Sequence, residues 1–233
     1  MGGLIMKLHR LDGDAIQVAN QTSPGMWQDY VFGRPAYYVE AWEDFQVYTA
    51  GDFTITATGA GSLALTDAKG GVLLVTNAAA NDDSQEAQYT SETFIPTAGD
   101  HIYFETRIQI NDATESEFVF GLCDTDTTLI DGISDGIYFK SDDTLTGIDF
   151  VCMNTSVAST ETAVGTLADA TWIKLGFKVS GTGLVEGYIN DVKVSEITTQ
   201  VPTTELALSF AIQNGEAVIK TMAVDYFYVA QTR

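Results

Sequence analysis

The chain has 233 residues, of which 45% are hydrophobic and 11% aromatic, enough apolar matter for a sizeable core and too much for a disordered polymer. Eleven basic residues stand against 32 acidic ones, a formal charge of −21. That balance excludes nucleic acid and anionic membrane as direct partners, because both bind proteins through Lys and Arg.

Residues 1–44 form an irregular opening segment with no clean period. They hold three basic and six acidic groups, net −3, whereas the remainder holds eight and 26, net −18. Lys7, His9 and Arg10 follow a short apolar patch, the reverse of a signal peptide's order. Pro24-Gly25 and Gly33-Arg34-Pro35 are turn signals, and between and beyond them lie Trp27, Tyr30, Phe32, Tyr37, Tyr38 and Trp42. So many large aromatics must lie either on the chain's own body or on a partner. We take the segment as an anchoring arm, with these six aromatics and Arg34 as its binding surface.

From Phe45 to Arg233 the pattern is strand after strand. Phe53, Ile55 and Ala57 alternate in DFTITAT, and GVLLVTNA is a short apolar run. Ile102, Phe104, Thr106, Ile108 and Ile110 alternate in the next long run. Glu115 and Glu117 follow in a segment that reads as a turn, and EFVFGLC and IDFVCM hold Cys123 and Cys152. Both cysteines are expected as buried free thiols, with a bridge between neighbouring strands as the alternative. The loop CDTDTTLIDGISDG carries Asp124, Asp126, Asp131 and Asp135. Acidic oxygens at such spacing suit a hard cation, so calcium is the candidate ligand, although an EF-hand pattern fails at Leu129. Ile173, Leu175, Phe177 and Val179 alternate next, leaving Trp172 on the face of Lys174 and expected as sheet packing. Asn190-Asp191 reads as a two-residue hairpin loop. Leu206 to Ile212 and Met222 to Tyr228 close the chain with two more alternating runs. Period two with one apolar face marks half-buried antiparallel strands, and many of them make an all-β sandwich or jelly roll.

The stretch TWIKLGFKVSGTGLVEGYINDVKVSEI, with Trp172, Gly181, Gly183, Tyr188, Asn190 and Asp191, resembles the concanavalin A-like, or laminin-G-like, jelly-roll family. AVDYFYVAQ resembles that family's last strand, and the likeness covers residues 45–233. A second likeness lies in NDATESEFVFGLCDTDTTLIDGISDGIYFKSDD and LSFAIQNGEAVIKTMAVDYFYVAQTR, which resemble tailed-bacteriophage capsid decoration (cement) or head-fibre proteins. That resemblance implies a virion structural protein on the capsid surface, bound to the major capsid protein through residues 1–44, and a homotrimer. The alternative is a carbohydrate-binding, lectin-like module of a phage fibre or secreted protein, with a host-surface glycan as ligand.

Jelly-roll glucanases place both catalytic acids on one strand, as Glu-x-Asp-x-x-Glu or Glu-x-Asp-x-Glu, and no such run occurs here. His9 and His101, the only histidines, show no triad context. The expectation from sequence is therefore a binding protein with no catalytic residues.

Overall fold

The computed structural model describes residues 7–11, 15–19, 25–27, 30 and 36–233. Its strands are β1 (Lys7–Leu11), β2 (Ala15–Ala19), β3 (Tyr38–Glu43), β4 (Phe53–Thr58), β5 (Ser62–Leu65), β6 (Leu73–Thr76), β7 (Ser84–Tyr89), β8 (His101–Ile110) and β9 (Ser116–Cys123). They continue with β10 (Gly136–Ser141), β11 (Gly147–Asn154), β12 (Val157–Thr166), β13 (Ile173–Ser180), β14 (Leu184–Ile189), β15 (Val192–Ile197), β16 (Ala207–Asn214) and β17 (Thr221–Thr232).

Two antiparallel sheets pack face to face, as expected for a jelly-roll sandwich. One has seven strands in the order β12-β11-β10-β9-β16-β7-β4. The other has eight, β15-β14-β13-β8-β17-β6-β5, with β3 on β17. β1 and β2 pair with each other as a separate two-stranded sheet. The period-two apolar residues of the sequence meet between the sheets: Ile102, Phe104 and Ile108 face Phe118, Phe120 and Leu122, with Phe139, Phe150, Phe177, Phe210 and Phe227 beside them. The Phe104 and Phe177 rings stack at 4.6 Å and those of Phe120 and Phe210 at 5.1 Å. The Asn190-Asp191 hairpin forms as expected, with φ of 50° and 68°, the positive values that a type I′ turn needs.

Three features differ from the sequence reading. β3 lies within residues 1–44, yet Tyr38–Glu43 is hydrogen-bonded along β17, and Phe45 is core. The sandwich therefore begins before the boundary drawn at residue 44. β7 is a central strand that no apolar period announces, because Ser84, Gln85, Glu86 and Gln88 are all buried polar residues. In β17 a bulge at Asp225 shifts the register between Val224 and Tyr226. One extra residue reverses the alternation, so Met222 and Val224 face inward but Tyr226 and Tyr228 face outward, and Phe227 and Val229 take the core places.

The cysteines are free and lie on opposite faces of the seven-stranded sheet: Cys152 in the main core, Cys123 on the outer side. Side chains on opposite faces cannot bridge.

Candidate functional site

Each sheet has an outer face. On the seven-stranded sheet, Val119, Cys123, Tyr138, Val151 and Ala211 form an apolar floor covered by residues 124–135, which press Leu129 and Ile133 onto it. The buried polar face of β7 fastens this cover. Glu86 Oε2 accepts the Leu129 N–H, and Gln88 donates to the Asp124 carbonyl (2.9 Å) while accepting the Asp126 N–H (2.9 Å).

The four aspartates of this loop do not converge. Asp124 Oδ1 accepts the amides of Ser134 and Asp135, Asp126 Oδ1 accepts the amide and hydroxyl of Thr128, and Asp135 Oδ1 accepts the amide of Thr155. Three of the four carboxylates are thus turned onto backbone amides rather than around a cation. Among the described residues no group of three or more His, Cys, Asp or Glu is placed to hold a metal, which corrects the calcium expectation.

Beyond the cover, the same sheet presents Glu117, which lies in β9 rather than in a turn, and Lys140, which donates to Asp142 at 2.7 Å. Burial pushes the Glu117 carboxyl up to about 7, helped by Asp142, Asp131 and Asp143, with Lys140 pulling the other way. Glu86 is also raised, again chiefly by burial. Two carboxyls with raised pKa thus share one face from different strands, β7 and β9.

The outer face of the eight-stranded sheet is aromatic. Its rows follow from the register. Trp42, Tyr228, Glu105, Gly176, Tyr188 and Lys193 lie across neighbouring strands, and so do Glu40, Ala230, Tyr103, Lys178, Glu186 and Glu196. Met26, Trp27 and Tyr30 pack onto this face with Tyr38, Tyr103, Tyr188 and Tyr228. The Trp27 ring stacks on Tyr103 at 5.5 Å and 18°, and its Nε1–H donates to Glu105 Oε2 at 2.9 Å. Glu105 Oε1 accepts the Tyr226 hydroxyl at 2.6 Å. The Tyr30 and Tyr228 hydroxyls meet each other and Glu40 Oε1. Burial and this carboxylate push Tyr30 well up and Tyr228 to about 12. Gly176 gives Met26 its seat: a Cβ there would lie 3.0 Å from the Met26 methyl and 2.9 Å from the Phe104 carbonyl.

Of the aromatics assigned to the arm, then, Trp27, Tyr30 and Tyr38 are spent on the protein's own sheet, a correction to their reading as a capsid-binding surface. The physical reason is the floor that Tyr103, Tyr188 and Tyr228 make on the outer face, the last of them turned outward by the bulge in β17. Phe32 and Arg34 lie outside the described residues. Tyr37 and Trp42 are exposed, at 58% and 61%. Trp172 is half-buried under the Arg107 guanidinium, 4.6 Å from the ring centroid, and Arg107 pairs with Asp225 at 2.6 Å. Sequence reasoning missed Glu40, Glu105, Tyr226 and Tyr228; the bulge that brings the last two here leaves no apolar signal.

No family model matches the chain, and no curated protein does. Solved structures match throughout the sandwich. An endo-1,3-β-glucanase from Streptomyces sioyaensis aligns at TM-score 0.63 and 13% identity, over 84% of this chain and 97% of that one. A protein of unknown function from Shewanella oneidensis MR-1 aligns at 0.61 and 16%, over 84% and 87%. The carbohydrate recognition domain of Emp46p, in a metal-free form, aligns at 0.56 and 9%, over 80% and 93%. At these identities the likeness shows the fold: an antiparallel, concanavalin A-like jelly roll. It also corrects the exclusion of enzymes made from sequence, since a glucanase is built on this same sandwich. The exclusion rested on one acid pattern along a single strand.

Proposed function

We propose that this chain is a carbohydrate-recognising jelly roll, with saccharide seated on the outer face of the eight-stranded sheet at Trp42. The observation that carries the reading is the exposed indole of Trp42 beside Tyr228, on a face rimmed by the carboxylate of Glu40. A flat aromatic takes the C–H face of a sugar ring, and adjacent hydroxyls and carboxylates take its polar edge. The neighbouring structures lend support, because one is named a glucanase and another a carbohydrate recognition domain.

The test is a set of neutral, basic and acidic oligosaccharides titrated against wild type and Trp42→Ala, read by calorimetry, with product analysis of each mixture. Binding that Trp42→Ala reduces at least tenfold supports the reading. Silence across the whole set, or equal binding by the variant, refutes it. A second reading, attachment of the chain to a virion, draws on the same exposed pair of Tyr37 and Trp42. Co-sedimentation with assembled particles that Trp42→Ala abolishes, with no saccharide bound, would select it.

A further inference from the structure

The surroundings of Trp42 narrow the ligand class. Glu40 and Trp42 are alternate residues of β3, so both side chains stand on the outer face, about 7 Å apart along the strand. Both are exposed. Glu40 Oε1 takes the hydroxyls of Tyr30 and Tyr228, which holds the carboxylate in place at an exposed position. Among the described residues, the basic groups of this sheet face are engaged elsewhere: Arg107 with Asp225, Lys174 with Glu105 and Asp191, Lys193 with Glu186 and Glu196, and Lys178 over the Tyr103 ring at 5.7 Å. β3 pairs on one side with β17, and among the described residues no strand lies on its other side, so the pair sits at an open margin. An exposed indole and a fixed carboxylate within one sugar's reach suit a ring that carries an ammonium group, through stacking, cation–π attraction and a charge-assisted hydrogen bond. The net charge of −21 acts in the same direction at longer range.

Resting on the carbohydrate reading, we infer that the Glu40–Trp42 margin selects amino sugars, saccharides with free amino groups, over their N-acetylated and uronic counterparts.

The experiment uses the full chain and three short probes of equal length: a glucosamine trimer, an N-acetylglucosamine trimer and a galacturonate trimer. Calorimetry in low salt should rank them in that order, with the amino trimer ahead of its acetylated form by roughly two- to fivefold, the scale of one exposed ion pair. Glu40→Gln, which keeps an oxygen for the two tyrosine hydroxyls, should erase that preference by lowering the amino trimer's affinity more than the acetylated trimer's. Trp42→Ala should weaken both. Glu205→Gln, an exposed acid in the segment between β15 and β16, should change nothing. The inference is overturned if acetylated or uronic trimers bind as well as the amino trimer, or if Glu205→Gln lowers the preference as much as Glu40→Gln does. If none of the three binds wild type, the carbohydrate reading itself has failed.

Discussion

Replacing Trp27 by Ala tests whether residues 25–27 and 30 belong to the sandwich. The indole stacks on Tyr103, tilts against Tyr228 at 5.3 Å, meets Tyr30 edge-on at 5.3 Å and donates to Glu105. Full burial of a tryptophan is worth about 3–5 kcal/mol against Ala, and Trp27 is half-buried, so packing contributes about 2 kcal/mol. The hydrogen bond to a carboxylate adds about 1 kcal/mol, at the low end because Glu105 keeps Tyr226 and Lys174 as partners. A total of about 3 kcal/mol should lower the melting temperature by roughly 6–12 °C in a chain of this size. Trp27→Phe keeps the stack and should cost about 1 kcal/mol. Urea unfolding followed by circular dichroism measures both. A loss below about 0.5 kcal/mol for Trp27→Ala, the range of ordinary surface substitutions, would mean that this segment does not hold the sheet, and the docking described above would be wrong.

Removing residues 1–44 takes away β3 as well as Trp27 and Tyr30. It should cost clearly more than removing 1–36 and should expose the tyrosine floor, seen as dye binding and aggregation; equal stabilities for the two truncations would refute the role given to β3. Glu117 has a folded pKa of about 7 against an ordinary 4.5, so the folded state is penalised once this group ionises. Glu117→Gln should match wild type near pH 4.5 and exceed it at pH 8 by about 1 kcal/mol, allowing for partial exposure, in pH-resolved urea melts. Lys220 is fully buried and joins Asp112 (2.7 Å) to Glu216 (2.6 Å). Lys220→Met should cost about 1 kcal/mol, since the acids it leaves are partly exposed and Asp112 keeps the Thr114 and Glu115 amides. In the same variant the Asp112 carboxyl, now held low chiefly by Lys220, should climb toward the ordinary range in an NMR titration.

The sandwich was legible where hydrophobic alternation was strict. Ile102 to Ile110 and Ile173 to Val179 could be assigned to a buried face because the pleat admits no other arrangement. β7 was illegible because its role is polar: Glu86 and Gln88 bind a loop's amides and carbonyl, and such residues leave no period. The aspartates of residues 124–135 looked like ligands because spacing says nothing of direction, and in the fold Asp124, Asp126 and Asp135 turn onto backbone amides. The outer aromatic face was hidden for a different reason. Tyr226 and Tyr228 alternate with the right period but on the wrong side of a bulge, and only pairing with β8 reveals the shift. Trp42 was named from sequence as a contact residue, and it is exposed; Trp27 was named with it and is packed. Composition gave the density of aromatics but not their division between inside and out.

The placement of the two thiols supplies the molecule with two separate clocks. Cys123 is shielded by the loop of residues 124–135, and Cys152 by the contact between the sheets. Burial holds both thiols protonated, Cys123 far above its usual value and Cys152 at about 12, so neither reacts until something opens. Lifting the loop frees Cys123 alone, whereas Cys152 waits for the layers to part. Their alkylation rates therefore time a local event and a global one in a single chain, and the interval between them measures how independently the cover moves from the body it covers.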